Sequence, residues 1–414
     1  MTLKQRLRPI GLRIVFLLSI IGPGLITASA GNDAPGIATY SMAGSFYGYG
    51  LLWVLLWSAL GAVVLLEMAA RMGAATGVGM TALIRRRFGV RVSLFVVLSL
   101  SLANLATTTA QFAGIAASAE LFGVTRYAVV PLAALSVWFL VVRGSYRRVE
   151  RVLMFLTLYA VAYIVTTFML RPPWGEVLRR TAVPTVRLEP DYLLAVLATV
   201  GTTVTPWACA YMQAAVADKG VSTAEYSYTR FDVTFGLVVS SLVAAFIIIC
   251  AAATLFANGI RVETAKQAAL ALAPLAGPWA TQLFGIGLFG ASLLAASVLP
   301  LATTYAVCGA FGWERGIDRQ SHEAPIFYGL YTSLIVLSAV VVLIPGIPLF
   351  PLMWLSQVLN AVLLPVILVF MLRLANDSGI MGEWRNSRLT NVLASVLAMV
   401  ISLATVALLV SSLR

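Results

Sequence analysis

The chain has 414 residues, 60% of them hydrophobic and 11% charged, with a net charge of +12 and a mean hydropathy of +0.94. Soluble domains carry about 25% charged residues, so this composition excludes an ordinary soluble enzyme and reads as a polytopic membrane protein. The positive charge does not require nucleic acid, because basic loops mark the cytoplasmic side of membrane proteins.

A bilayer requires roughly 20 apolar residues per crossing. On that measure eleven spans are expected, near residues 15–43, 47–70, 92–122, 126–143, 152–170, 192–217, 231–257, 278–309, 325–345, 348–372 and 390–412. The first run follows basic residues, as a signal peptide does, but it continues well past an h-region and reads as retained. Residues 71–91 are Gly-rich, then basic, and read as a cytoplasmic loop with an interfacial helix. Residues 258–279 are the expected external counterpart, amphipathic around 265–272. The ninth and tenth spans are divided only by Pro345-Gly346-Ile347-Pro348. The three cysteines, Cys209, Cys250 and Cys308, lie in apolar surroundings without CxxC or Cys/His spacing, so neither disulfides nor zinc are indicated.

Lysine and arginine set the orientation. With the N-terminus inside, twenty fall on inner segments and eight on outer ones. The expectation is a multi-pass protein of the inner (plasma) membrane with a cytoplasmic N-terminus. Residues 171–191, with Arg171, Arg179, Arg180 and Arg187, run against this trend.

Two spans are interrupted. The first carries Gly31-Asn32-Asp33-Ala34-Pro35-Gly36 in the middle of its apolar run. Proline removes a backbone donor, glycine favours unwound chain, and a carboxylate at mid-membrane costs at least about 2.5 kcal/mol. Such a stretch is tolerated where it faces a cavity or protein rather than lipid. The sixth span carries Gly201-Thr202-Thr203-Val204-Thr205-Pro206-Trp207. Spans one and six are five apart, which suggests two five-helix halves in an inverted repeat with a transport site at the paired breaks. Two plain proline kinks are the alternative. The whole chain, 1–414, then reads as a single transporter domain: repeat one over 15–170, repeat two over 192–372, and an added span over 390–412.

Asp33 is the main candidate residue. It binds a cation, carries a proton, or caps a helix N-terminus. No lysine, arginine or histidine lies deep in a span to neutralise it. Gln357 and Asn360 share one face of the tenth span at i and i+3 and offer either cation-binding oxygens or interhelical hydrogen bonds. Glu67 reads as paired with Arg71 or with helix ends. Thr107–Thr109 and Gln111 read as packing glue on span three. Glu120 lies near the outer end of that span and reads as wetted. Cys209 and Met212 offer soft atoms but read as core filling. His322, the lone histidine, reads as solvated.

At these residues the sequence resembles the Nramp family of divalent-metal transporters. Gly22-Pro23-Gly24-Leu25-Ile26-Thr27-Ala28 resembles the family's GPGFLTA. Tyr47-Gly48-Tyr49-Gly50-Leu51-Leu52-Trp53 resembles FGYxLLW, and Glu67-Met68-Ala69-Ala70-Arg71-Met72-Gly73 resembles QELSARLG, with Thr76-Gly77 as the following TG. The resemblance implies an all-α integral membrane fold of LeuT type, a five-plus-five inverted repeat with broken spans one and six.

Departures from the family matter as much. Its first-span DPGN stands here as Asp33-Ala34-Pro35-Gly36, with Gly36 in place of the metal-binding asparagine. Its sixth-span MPH stands as Thr205-Pro206-Trp207, and the second histidine of that helix falls at Met212. The acidic pair of span three, associated with proton transfer, falls at Thr108 and Gln111. Gln357 matches the glutamine of SQV. This pattern resembles the NRAMP-related magnesium transporter branch. Losing the thioether removes the bias toward soft ions, and the remaining oxygens suit Mg²⁺, which keeps several waters.

The expected function is therefore secondary import of divalent cations, Mg²⁺ first and Mn²⁺ also, by alternating access without proton coupling. The metal-site residues would be Asp33, Asn32, Gly36, Thr202, Thr205, Trp207, Gln357 and Asn360. The ion is cargo, with no cofactor, no nucleic acid and no obligate protein partner expected beyond the lipid bilayer. The rival within the class is a proton-coupled Mn²⁺/Fe²⁺ transporter. The rival outside it is an amino-acid permease of the same fold, against which a fixed Asp33 would repel the substrate carboxylate.

Overall fold

A chain segment inside a bilayer must satisfy its own backbone hydrogen bonds, and an apolar run does so by coiling. The computed structural model describes residues 32–142, 160–221, 223, 226–316 and 321–412, and every regular element among them is helical. The principal helices are α1 (Ala34–Tyr47), α2 (Leu52–Thr76), α3 (Met80–Leu121), α4 (Arg126–Val142), α5 (Ala160–Leu170), α6 (Trp174–Ala182), α7 (Pro190–Thr203), α8 (Pro206–Asp218), α9 (Tyr226–Thr254), α10 (Ala280–Phe311), α11 (Pro325–Leu343), α12 (Leu349–Ala375) and α13 (Arg388–Ser412). Eight helical stretches are long and apolar enough to cross a membrane, counting α7 and α8 as one; α4 and α5 are shorter apolar helices. With α1 they account for the eleven expected spans. The first half of span one and residues 152–159 of span five lie outside the described residues.

Two boundaries move from expectation. Span two begins at Leu52, after the turn through Gly48 and Gly50, and continues to Thr76 rather than residue 70. The apolar run stops near Arg71, but the helix goes on because Arg71 is itself buried by other chain segments. The expected interfacial helix and span three are continuous in sequence as the 42-residue α3, yet Gly89 (φ 82°) breaks them into two arms. That left-handed backbone is open to glycine at little cost.

Helix contacts repeat with an offset of five spans. α1 packs on α9, and α8 packs on α2 in the corresponding way; α3 packs on α10. Both exchanged contacts are backbone-close. A Cβ added at Gly44 would sit 2.5 Å from the Ile248 carbonyl oxygen, and one at Gly73 would sit 2.7 Å from that of Gln213. Small residues at such crossings let membrane helices approach. α12 lies between the groups, against α3 and α7.

Large apolar side chains remain on the outside, as on α13 at Leu389, Val392, Met399 and Leu403. A surface this apolar is one that lipid covers. Call the face where α1 ends and α2 begins distal, and the opposite one proximal. The linker between α12 and α13 straps the proximal face. Arg71 donates to the Trp384 carbonyl (2.5 Å) and Asn386 Oδ1 (2.7 Å), while pairing with Glu67 at 3.1 Å. The Tyr226 hydroxyl donates to the same Glu67. Arg87 pairs with Asp377 of the linker at 2.6 Å. Residues 258–279 fold back on the distal side, where Ala265–Ala269 is capped by Thr264 and Gln267 and buries Ala265, Ala268 and Ala269.

Candidate cation site

α1 starts abruptly because Pro35, in its first turn, has no N–H to place and Asp33 caps the turn. Asp33 Oδ1 accepts from the Gly36 amide at 2.9 Å. Its Oδ2 accepts from Gln111 Nε2 of α3 at 2.5 Å. An ionised carboxylate has about four lone-pair positions, and these two bonds leave room for a cation. Both residues are buried. Asp33 forms no ion pair among the described residues.

Two amide oxygens beside it lack donors. Because a carboxylate only accepts, Gln111 must offer its nitrogen to Asp33, and its Oε1 has no partner among the described residues. Asn32 donates its Nδ2 to the Ser240 carbonyl (3.2 Å) and hydroxyl (3.0 Å) of α9, and its Oδ1 has no partner among the described residues. A buried acceptor without a donor costs about 1–3 kcal/mol. The Gln111 oxygen belongs to the amide that bonds the Asp33 carboxylate, so lone pairs gather there that a cation or its water shell satisfies, while the Asn32 amide, on the preceding residue, is held by α9.

The second break lies where the sequence suggested. α7 ends at Thr203, Val204 and Thr205 are extended, and α8 restarts with Pro206 in its first turn. Pro206 has no N–H to give the Thr202 carbonyl. Thr202 and Thr205 are both buried. Thr203 meets the Tyr40 hydroxyl of α1 at 3.1 Å, which ties the two interrupted spans together. Trp207 is buried and its Nε1 finds no partner among the described residues. Indole nitrogen is a donor only, so Trp207 can shape a cavity but cannot ligate a cation through its side chain.

Gly201 sets the spacing between this break and α12. A Cβ there would lie 1.9 Å from the Gln357 carbonyl oxygen. Gln357 Oε1 accepts from Asn360 Nδ2 at 3.1 Å, and Asn360 also bonds Thr107 of α3 at 3.0 Å. Asn360 thus joins α12 to α3 and orients Gln357. The structure brings Asp33, Gly36 and Gln111 together, ties Asn32 to Ser240, and separately joins Gln357, Asn360 and Thr107. Among the described residues no hydrogen bond links Asp33 to Thr202, Thr205, Trp207 or Gln357.

Gln111 is the residue that sequence reasoning took for packing glue. Its signal was its match to an acidic position of the resembled family. Cys209 and Met212 are buried on α8. Among the described residues no group of three or more His, Cys, Asp or Glu could hold a metal, so the site is one carboxylate among neutral oxygens. A distal cavity of ≈ 460 Å³ reaches down between α1, α7 and α12 to Thr39, with Arg187, Glu189, Asp191 and Arg261 in its lining. Thr39 lies six residues beyond Asp33, about 9 Å along the helix.

The Nramp family, described as Natural resistance-associated macrophage protein-like, matches residues 24–411. The chain is similar to a divalent metal cation transporter MntH of Erwinia tasmaniensis, at 29% identity over 92% of each chain. It is 28% identical to the protein of that name from Bacillus subtilis, over 96% of this chain and 93% of the other. Among solved structures it resembles the Eremococcus coleocola manganese transporter, with a TM-score of 0.75 at 21% identity over 94% of this chain and 85% of that one. It also resembles MhsT in complex with L-phenylalanine, at TM-score 0.60 and 16% identity over 94% and 98% of the two chains. These structural likenesses speak for the fold alone.

Proposed function

The chain belongs to the Nramp family, and from that premise we propose that it imports Mg²⁺, and Mn²⁺ less selectively, across the plasma membrane without a coupled proton. As a divalent metal cation transporter of the Nramp type it alternates access to a site between its interrupted helices. Asp33 is the anionic ligand. Asn32 and Gln111 contribute amide oxygens directly or through water. Gly36 leaves room for a hydrated ion while its amide holds the carboxylate. Thr202, Thr205 and Gln357 supply oxygens from the facing elements, with Asn360 orienting Gln357 and Trp207 walling the cavity. The cytoplasm is on the proximal side, where most of the basic residues gather.

The observation that carries this reading is the pair of oxygens at Asp33, its own carboxylate and the Gln111 amide oxygen, the latter without a donor among the described residues. They are hard ligands, suited to an ion with oxygen coordination and retained waters. The first turn of α8 offers no thioether to favour Mn²⁺ or Fe²⁺. On α3, Thr108 and Gln111 are neutral, so no titratable relay leaves Asp33 along that helix. Inward flux needs no proton, since two charges crossing 100 mV gain about 4.6 kcal/mol.

The names of the MntH relatives favour the second reading, a proton-coupled Mn²⁺ transporter. Paired Mg²⁺ and Mn²⁺ uptake in liposomes holding a pH dye separates them. The proposal expects uptake of both ions at constant internal pH, abolished in Asp33→Ala. Mn²⁺ uptake that acidifies the lumen, with Mg²⁺ excluded, supports the rival.

A further inference from the structure

Four arginines, Arg171, Arg179, Arg180 and Arg187, oppose the charge asymmetry that orients the rest of the chain; Arg187 lines the distal cavity, and the cation site gives the other three no task. Two of them stand in the last turn of α6. This helix buries Val177, exposes Trp174 and Leu178, and packs on α2. An amphipathic helix with tryptophan and arginine belongs at the membrane–water interface.

Below α6 a groove of ≈ 280 Å³ runs between α2 and α9, with Thr181 of α6 at its head. Its α2 wall extends from Leu52 to Val63, about 16 Å at 1.5 Å per residue. That is half of the roughly 30 Å hydrocarbon core. Because α2 begins on the distal face, the groove spans one leaflet, from the distal interface to the midplane. Its rims are open to lipid: Leu60 is 50% exposed and Val238 55%. Arg180 precedes Thr181, one turn beyond Val177, and its ion pair with Glu176 is long, at 3.7 Å. Its guanidinium retains donors in the fork geometry that phosphate oxygens fit.

We propose that this groove is a binding site for one anionic phospholipid of the distal leaflet. An acyl chain lies between α2 and α9, and the headgroup phosphate rests on Arg180, with Arg179 adding attraction. The site gives a task to arginines on the face where they have no topological role. It also places a lipid on α9, the helix that holds Asn32 through Ser240.

Native mass spectrometry of the full chain in detergent, titrated with phosphatidylglycerol, phosphatidylcholine or inorganic phosphate, tests this. One phosphatidylglycerol should bind roughly fivefold more tightly than phosphatidylcholine, the preference that about one surface arginine confers. Arg180→Gln should erase that preference and Arg180→Lys should keep most of it, which separates lost charge from lost folding. Leu60→Trp, which fills the groove, should weaken both lipids. Asp33→Asn should bind phosphatidylglycerol as the parent does, whatever its transport. Equal retention of the two lipids by the parent, or a preference that survives Arg180→Gln, would overturn the site. Tight inorganic phosphate binding unaffected by Leu60→Trp would replace it with an anion site that needs no lipid.

Discussion

Two carboxylates, Asp33 buried and Glu67 half-buried, stand in adjacent spans and have opposite surroundings. Glu67 faces Arg71 at 3.1 Å and receives the Tyr226 hydroxyl. Arg71 in turn is anchored on Trp384 and Asn386, more than 300 residues away in sequence. Asp33 has only dipoles among the described residues: the Gly36 amide, the start of α1 and the Gln111 amide. A charge with a fixed partner closes a structure, and removing that partner leaves an uncompensated ion. A charge held only by dipoles is stabilised where it sits yet remains open to a mobile partner. The difference separates a structural carboxylate from a functional one without appeal to position in the membrane.

The comparison breaks most sharply at Asp33. Asp33→Ala should cost roughly 3 kcal/mol of cation affinity, on the order of a hundredfold, read by isothermal titration with Mg²⁺, while the melting temperature in detergent changes little. If Asp33→Ala merely unfolds, as loss of a structural partner would cause, the two carboxylates are alike and the distinction fails. Arg71→Met should do the reverse, lowering stability by about 2 kcal/mol, reduced from the usual figure for a buried pair because Glu67 is partly exposed. Transport per folded molecule should persist, and adding Glu67→Gln should restore part of the loss. Gln111→Glu sharpens the comparison by giving Asp33 an acidic neighbour. Two carboxylates at hydrogen-bond distance share a proton, so cation uptake by this variant should vary severalfold with pH where the parent's does not.

The smallest effect belongs to the strap. Asp377 is half-buried, and its carboxyl is held below its ordinary value by the Arg87 hydrogen bond first and the Gly379 amide second. A depressed carboxyl contributes stability above its unfolded value, lost as pH falls through the folded one. Asp377→Asn should therefore lower the melting temperature slightly and uniformly from about pH 8 to 5. The gap should begin to narrow near the unfolded value, at about pH 4, and close only below the folded one.

Much of the fold was legible because its signals are local. Apolar length counts spans, and proline after threonine marks where α7 stops and α8 begins. The offset of five between the two interruptions pointed to the repeat that the exchanged contacts of α1 with α9 and α8 with α2 display. The pairing of Asp33 with Gln111 was not legible from spacing, because 78 residues separate them and only the crossing of α1 and α3 joins them. The end of α2 was misjudged for a related reason: an arginine reads as a membrane boundary until a distant linker covers it. Asn360, which the sequence left open between a cation oxygen and an interhelical bond, bonds Thr107 of α3, a role that an i, i+3 spacing alone cannot distinguish from coordination.

The solitary charge of Asp33 also has an electrical consequence. Under the proposed cycle, the centre carries about +1 with a divalent ion aboard and −1 after release. A membrane negative inside therefore drives the loaded centre inward and the emptied one back outward. At 100 mV each leg gains at most about 2.3 kcal/mol, so neither half of the turnover runs uphill against the voltage.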